Sequence, residues 1–151
     1  TTQLNKDDFP ELFTHSFRPI INITPYENFI RGANSIKPAV ESCIKRAKSE
    51  GTSLIIEGVY LIPDIIENTI YDFFFMLESK HKVIDHKKMV LGKSHNKRKI
   101  TNTDIEASLG IQKELISICK KKNIPVIPNI PINDRVKIIK NIMLKKYKGQ
   151  V

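Results

Sequence analysis

Residues 52–63 read Thr52-Ser53-Leu54-Ile55-Ile56-Glu57-Gly58-Val59-Tyr60-Leu61-Ile62-Pro63, a short apolar, β-branched run that ends in a carboxylate and a glycine and is closed by a proline. A run of this length without polar alternation suits a strand buried on both faces, as in a parallel sheet covered by helices. Ligands of such sheets bind just beyond the carboxyl ends of the strands, where Glu57 and Gly58 would sit. An acid there can hold a hydrated magnesium ion or accept a proton from an attacking hydroxyl. It can equally cap the next helix or face solvent.

Upstream of this run, Thr24-Pro25-Tyr26-Glu27 carries the signals of a helix start. Thr24 can cap, proline suits the first helical position, and Glu27 can reach back to complete a capping box. Phe29, Ile36, Val40, Cys43, Ile44 and Ala47 then recur at helical spacing. Pro38 should kink this helix or split it in two. Lys45, Arg46 and Lys48 occupy its last turns, and Gly51 is placed to end it. Residues 1–23 mix polar residues with Phe9, Leu12, Phe13 and Phe17, and Pro10 and Pro19 interrupt them. They read as a short helix near 8–17 and an irregular connection.

Downstream, a short helical stretch is expected around 64–69, and 70–77 reads as a second buried strand. Residues 79–100 hold most of the histidines and many lysines with little apolar content, and form the densest basic segment of the chain. Thr101, Asn102 or Thr103 can cap the next helix, with Asp104 and Glu106 in its first turn. Its inner face would carry Ile105, Leu109, Gln112, Ile116 and Cys119, and Lys120-Lys121-Lys122-Asn123 would end it. Ile124-Pro125-Val126-Ile127-Pro128 is a third short strand. Asn133 or Asp134 caps a final helix with Val136, Ile139, Ile142 and Met143 inward. Helices alternating with strands argue a single α/β domain over 1–151, a three-layer sandwich with a mostly parallel sheet.

Composition narrows the function classes. The apolar fraction is 40% and the charged fraction 27%, which describes a folded chain, not a disordered one. No apolar run approaches the roughly 20 residues of a membrane span, and the start of the chain has no signal-peptide pattern. Cys43 and Cys119 both fall on apolar helix faces and read as small buried hydrophobes, with a reducing cytoplasm as the expected compartment. Without paired C-x-x-C clusters, structural zinc is not expected. Lys and Arg number 25 against 16 acids, a net charge of +9. That favours anionic partners, although lysines spread along helix faces and last turns also serve solvation and the helix dipole.

Ala39-Val40-Glu41 through Ile44-Lys45-Arg46-Ala47, then Glu50-Gly51-Thr52-Ser53, then Ile55 to Pro63, then Ile111-Gln112 and Ile124-Pro125-Val126-Ile127-Pro128-Asn129 follow one another in a telling order. In that order the chain, from near Tyr26 to near Ile139, resembles the archaeal 2-phosphoglycerate kinases, a branch of the P-loop kinases. The Glu57–Pro63 segment is the most specific part. The resemblance implies an ATP- and Mg2+-dependent transfer of a phosphoryl group to 2-phosphoglycerate, giving 2,3-bisphosphoglycerate. It would set Glu57 beside the metal and the accepting hydroxyl, and make residues 79–100 a basic lid. Arg98, flanked by Lys97 and Lys99, would be the lid's bidentate phosphate contact, with Tyr60 and Arg31 toward the acceptor. Such chemistry depends on alignment and charge neutralisation more than on covalent help.

Three departures accompany the resemblance. Tyr60 stands where the family has His. The lid is lysine-rich where the family places regular arginines. No G-x-x-x-x-G-K-[ST] occurs, and no two of the six glycines lie close enough to a Lys-Ser/Thr to cradle a nucleotide. With Thr1 in place of an initiator Met, the expectation is either an N-terminal segment lying upstream or a homologue that does not bind ATP. On the family topology the strands at 54–56 and 73–75 would flank an absent central strand. They would then pair directly or await another segment or chain. Two further function classes stay open: a non-catalytic domain that binds a phosphorylated ligand or a protein, possible also as a homo-oligomer, and, ranked lower, a nucleic-acid binder, for which no recognition motif and no interleaved aromatics appear in 79–100.

Overall fold

Two long helices begin and end by the same local chemistry. In the computed structural model, which describes residues 22–66, 70–79 and 101–148, helix α1 runs Pro25–Ser49 behind a capping box. The Thr24 hydroxyl accepts from the Glu27 N–H (3.1 Å), and the Glu27 carboxylate accepts from the Thr24 N–H (2.8 Å). Helix α2, Asn102–Lys121, repeats this with Thr101 and Asp104. Each reciprocal pair satisfies two of the donors that a helix start leaves open, and a cap of this kind contributes about 1 kcal/mol.

Both helices also close in the same way. Gly51 takes φ +65° and Asn123 φ +55°. The N–H groups of Gly51 and Thr52 donate to Lys48 and Ala47, while those of Asn123 and Ile124 donate to Lys120 and Cys119. These are paired Schellman closures, which need a left-handed residue just past the helix. Pro38 lies inside α1 without splitting it. Cys43 is exposed, contrary to the sequence expectation, whereas Cys119 is buried as expected.

Strand β1 is Met76–Leu77 and β2 is Val126–Ile127, paired in parallel with Met76 opposite Val126. With α2 between them they make a βαβ unit. The Met76 N–H donates to the Pro125 carbonyl (3.0 Å) and the Glu78 N–H to that of Ile127 (2.9 Å). Cys119 of α2 lies on Met76, sulfur to sulfur 3.8 Å. Helix α3, Ile132–Lys148, follows β2. Its Lys146 sits 4.7 Å above the Phe73 ring, and Tyr147 packs on the same ring. None of its side chains is fully buried, so the expected inner face of Val136, Ile139, Ile142 and Met143 is at best half-buried.

The core lies between α1, α2, the turns of 60–66 and Ile70. Phe29 and Ala33 of α1 and Ile111 of α2 close on Ile62, Ile65, Ile66 and Ile70. Ile62 anchors the turn, its carbonyl accepting from the N–H groups of Ile65 (2.9 Å) and Ile66 (3.0 Å). Lys122 bonds Asp64 at 2.8 Å and ties the end of α2 to it.

The stretch 53–58 corrects the sequence reading. It is not a strand in this structure, and it is not buried. Ile55 is 95% exposed, Val59 74% and Leu54 47%. Among the described residues nothing hydrogen-bonds to 53–57. It pairs with neither 73–75 nor β2; the second expected strand pairs only at Met76–Leu77. β propensity marks a side chain that fits a half-buried pleated surface, and it cannot supply the neighbouring strand. The architecture is therefore helices with a small parallel two-stranded sheet among the described residues, compatible with an α/β fold. No helix among those residues is long and apolar enough to cross a membrane.

Candidate functional site at the strand ends

Parallel pairing brings the carboxyl ends of β1 and β2 to the same edge, so Glu78 and Ser79 lie beside Pro128, Asn129 and Ile130. The Ser79 N–H donates to the buried Gln112 side-chain oxygen of α2 at 2.7 Å. Arg135 of α3 braces the two ends. Its Nε donates to the Ile130 carbonyl (3.0 Å), and its Nη2 donates to the Glu78 carbonyl (3.4 Å) and to the Asn129 side-chain oxygen. The densest basic segment follows Ser79 directly in sequence.

Asp104 is 7% exposed. Its carboxylate accepts from both the backbone N–H and the hydroxyl of Thr101, each at 2.8 Å, so the cap and not a ligand engages these atoms. Burial pushes the Cys119 thiol up, helped by the Asp64 charge, which leaves a protonated, inert thiol beneath β1.

The sequence-derived residues distribute differently. Glu57 is exposed in the extended run 53–58, its carboxylate without a hydrogen-bond partner among the described residues. Tyr60 is half-buried, its ring 5.1 Å from that of Phe29 and lying over Gly32. Arg31 is exposed on α1, where its charge helps hold the Glu27 carboxyl low. Lys97, Arg98 and Lys99 lie outside the described residues, as do the short helix near 8–17 and nearly all of the lid. Tyr60 is thus joined to α1 through Phe29 and Gly32.

The described residues contain no group of three or more His, Cys, Asp or Glu that could hold a metal ion. A lone exposed carboxylate such as Glu57 fits magnesium only in that ion's usual manner, with water and substrate oxygens completing the shell. The residues present do not fit ATP, for which the chain has no Gly-rich cradle.

Arg135, Asn129 and the Gln112–Ser79 bond were not expected as site features from the sequence. One signal could have exposed the first of them. A cation in the opening turns of a helix works against the macrodipole, and Arg135 follows Asp134 at that place in α3.

The chain is similar over most of its length to curated archaeal proteins described as 2-phosphoglycerate kinase. The protein of Methanocaldococcus jannaschii is 25% identical over 98% of this chain and 52% of its own length. That of Pyrococcus horikoshii is 28% identical over 74% of this chain and 38% of its own, and that of Thermococcus kodakarensis 21% over 74% and 39%. The resemblance carried by residues 26–139 therefore holds, and the chain spans about half the length, or less, of the curated relatives it matches. No family model matches the chain, and no solved structure matches it.

Proposed function

We propose that this chain is part of a phosphoryl-transferring protein whose acceptor is 2-phosphoglycerate. The observation that carries the reading is the similarity to the Methanocaldococcus jannaschii 2-phosphoglycerate kinase across 98% of this chain. A parallel strand pair with polar and cationic groups at its carboxyl ends is the kind of edge on which α/β enzymes hold phosphorylated ligands, and it supports the same reading. Of the six site residues expected from the sequence, Glu57 is assigned the general base or metal-holding carboxylate of the reaction. Its exposed carboxylate would accept the proton of the acceptor hydroxyl or hold a water of a magnesium ion, which when bound neutralises phosphate charge. Arg31 and Tyr60 are assigned to the acceptor side, and Lys97, Arg98 and Lys99 to its phosphates. We place the protein in the cytoplasm.

The test is a phosphoryl-transfer assay with ATP, Mg2+ and 2-phosphoglycerate on the protein as it occurs in the cell. Formation of 2,3-bisphosphoglycerate that falls at least about a hundredfold in Glu57→Gln, the scale of general-base assistance, is expected. Turnover of other acceptors with none of 2-phosphoglycerate would overturn the substrate. The 151-residue chain by itself is expected not to bind Mg-ATP.

A second reading is a binding domain that keeps this architecture without catalysis. The packing of Tyr60 against Phe29 and Gly32 favours it, because a ring committed to the core is not free to serve a reaction. Unchanged 2-phosphoglycerate affinity in Glu57→Gln, with no turnover by the natural protein, would support it.

A further inference from the structure

Arg135 carries a charge that its own contacts do not use. Its three acceptors, the carbonyls of Ile130 and Glu78 and the side-chain oxygen of Asn129, are all neutral. None of the ion pairs among the described residues involves it, and its Nη1 has no partner among them. The side chain is half-buried in the first turns of α3, where the helix dipole opposes a cation. A brace on neutral acceptors needs N–H donors and no net charge, and the charge adds a desolvation cost that these contacts do not offset. A cation held rigidly on neutral acceptors, at the edge where parallel sheets bind ligands, is arranged to meet an anion.

We propose that Arg135 is an anion-binding residue, its free Nη1 donating to a phosphate oxygen of a ligand lying beyond the carboxyl ends of β1 and β2. The ligand class is a phosphomonoester. Only the choice of 2-phosphoglycerate as that ester rests on the function proposed above. The fork matters: two of its nitrogens fix the plane, and the third has no partner among the described residues.

The experiment is a titration of the 15N-labelled protein, as it occurs in the cell, with inorganic phosphate, 2-phosphoglycerate and glycerate. It follows the Arg135 Nε resonance in the wild type, and dissociation constants and Tm in the wild type, Arg135→Gln, Arg135→Lys and Asn129→Ala. The expected result is a shift of that resonance with both phosphate-bearing probes and not with glycerate. Their affinity should fall about tenfold in Arg135→Gln, the scale of one charged hydrogen bond, and recover partly in Arg135→Lys. Asn129→Ala, which loosens the brace and keeps the charge, should lose less affinity than Arg135→Gln. Equal affinity in the wild type and Arg135→Gln, or no shift with either phosphate probe, overturns the proposal. Should Arg135→Gln fail to fold, the wild-type resonance decides alone. Phosphate binding at Arg135 without 2-phosphoglycerate binding upholds the anion site and removes the substrate. Binding of 2-phosphoglycerate that Arg135→Gln leaves unchanged does the reverse.

Discussion

The ring of Tyr60 occupies the space that a side chain on Gly32 would need: a Cβ there would meet Tyr60 Cε1 at 2.9 Å and Cζ at 3.1 Å. Gly32 is helical, with no left-handed backbone to justify it. Its cost in helix propensity is offset by the close approach of a residue 28 positions away that also stacks on Phe29.

Gly32→Ala therefore has opposing terms. Alanine adds about 1 kcal/mol of helix propensity, and overpacking against a half-buried ring costs roughly 1–3 kcal/mol. The expected net change is a loss of about 1 kcal/mol in urea unfolding. In a Tyr60→Leu background the obstructing ring is absent, and the same substitution should stabilise. A double-mutant cycle that shows no coupling would refute the contact.

Ile55 and Ile62 are seven residues apart, one 95% exposed and the other fully buried. Ile62→Ala should cost about 2–5 kcal/mol, while Ile55→Ala should change stability by less than about 0.5 kcal/mol. Guanidinium unfolding of the two variants decides it, and a large loss in Ile55→Ala would mean that this stretch is covered after all.

Asn28 is 1% exposed, and neither its amide nitrogen nor its amide oxygen has a hydrogen-bond partner among the described residues. An unpaired buried amide costs roughly 1–3 kcal/mol. Asn28→Leu, of the same branched shape though larger, and of better helix propensity, should raise the unfolding free energy by about 1 kcal/mol where the core takes up the added volume. Should thermal unfolding show a lowered Tm instead, the amide has a partner that only the protein in solution provides.

The Glu27 carboxyl is held below the ordinary range by the Thr24 backbone N–H, then by the Thr24 side chain and the Arg31 charge. A folded-state value below the unfolded one stabilises above the unfolded value and loses that contribution as pH falls through the folded one. The Tm difference between wild type and Glu27→Ala should thus be present at neutral pH and shrink below pH ~4. Lys122 behaves oppositely. Its hydrogen bond to Asp64 raises its value, so its contribution is full below the ordinary lysine range and fades as alkaline pH rises through the raised value.

Thr24-Pro25-Tyr26-Glu27, Gly51 and Lys122-Asn123 were legible in the sequence because helix caps and closures are settled within five or six residues. The inner face of α2, with Ile105, Gln112 and Cys119 buried, was legible for the same reason, since helical periodicity is local. So was the likeness of 26–139 to the kinases, which depends on residue order and not on packing. Leu54-Ile55-Ile56 has the composition of a buried strand, yet a strand exists only where another chain segment offers donors and acceptors, and the described residues supply none to it. In the same way nothing in the sequence shows that Gly32, distant in the chain, lies against the Tyr60 ring. Arg135 was one cation among 25 until parallel pairing carried Glu78 and Asn129 to it. Turns and caps are local free energies, and sequence alone determines them. Pairing, burial and the convergence of charges are long-range, and only the tertiary structure decides which side chains meet.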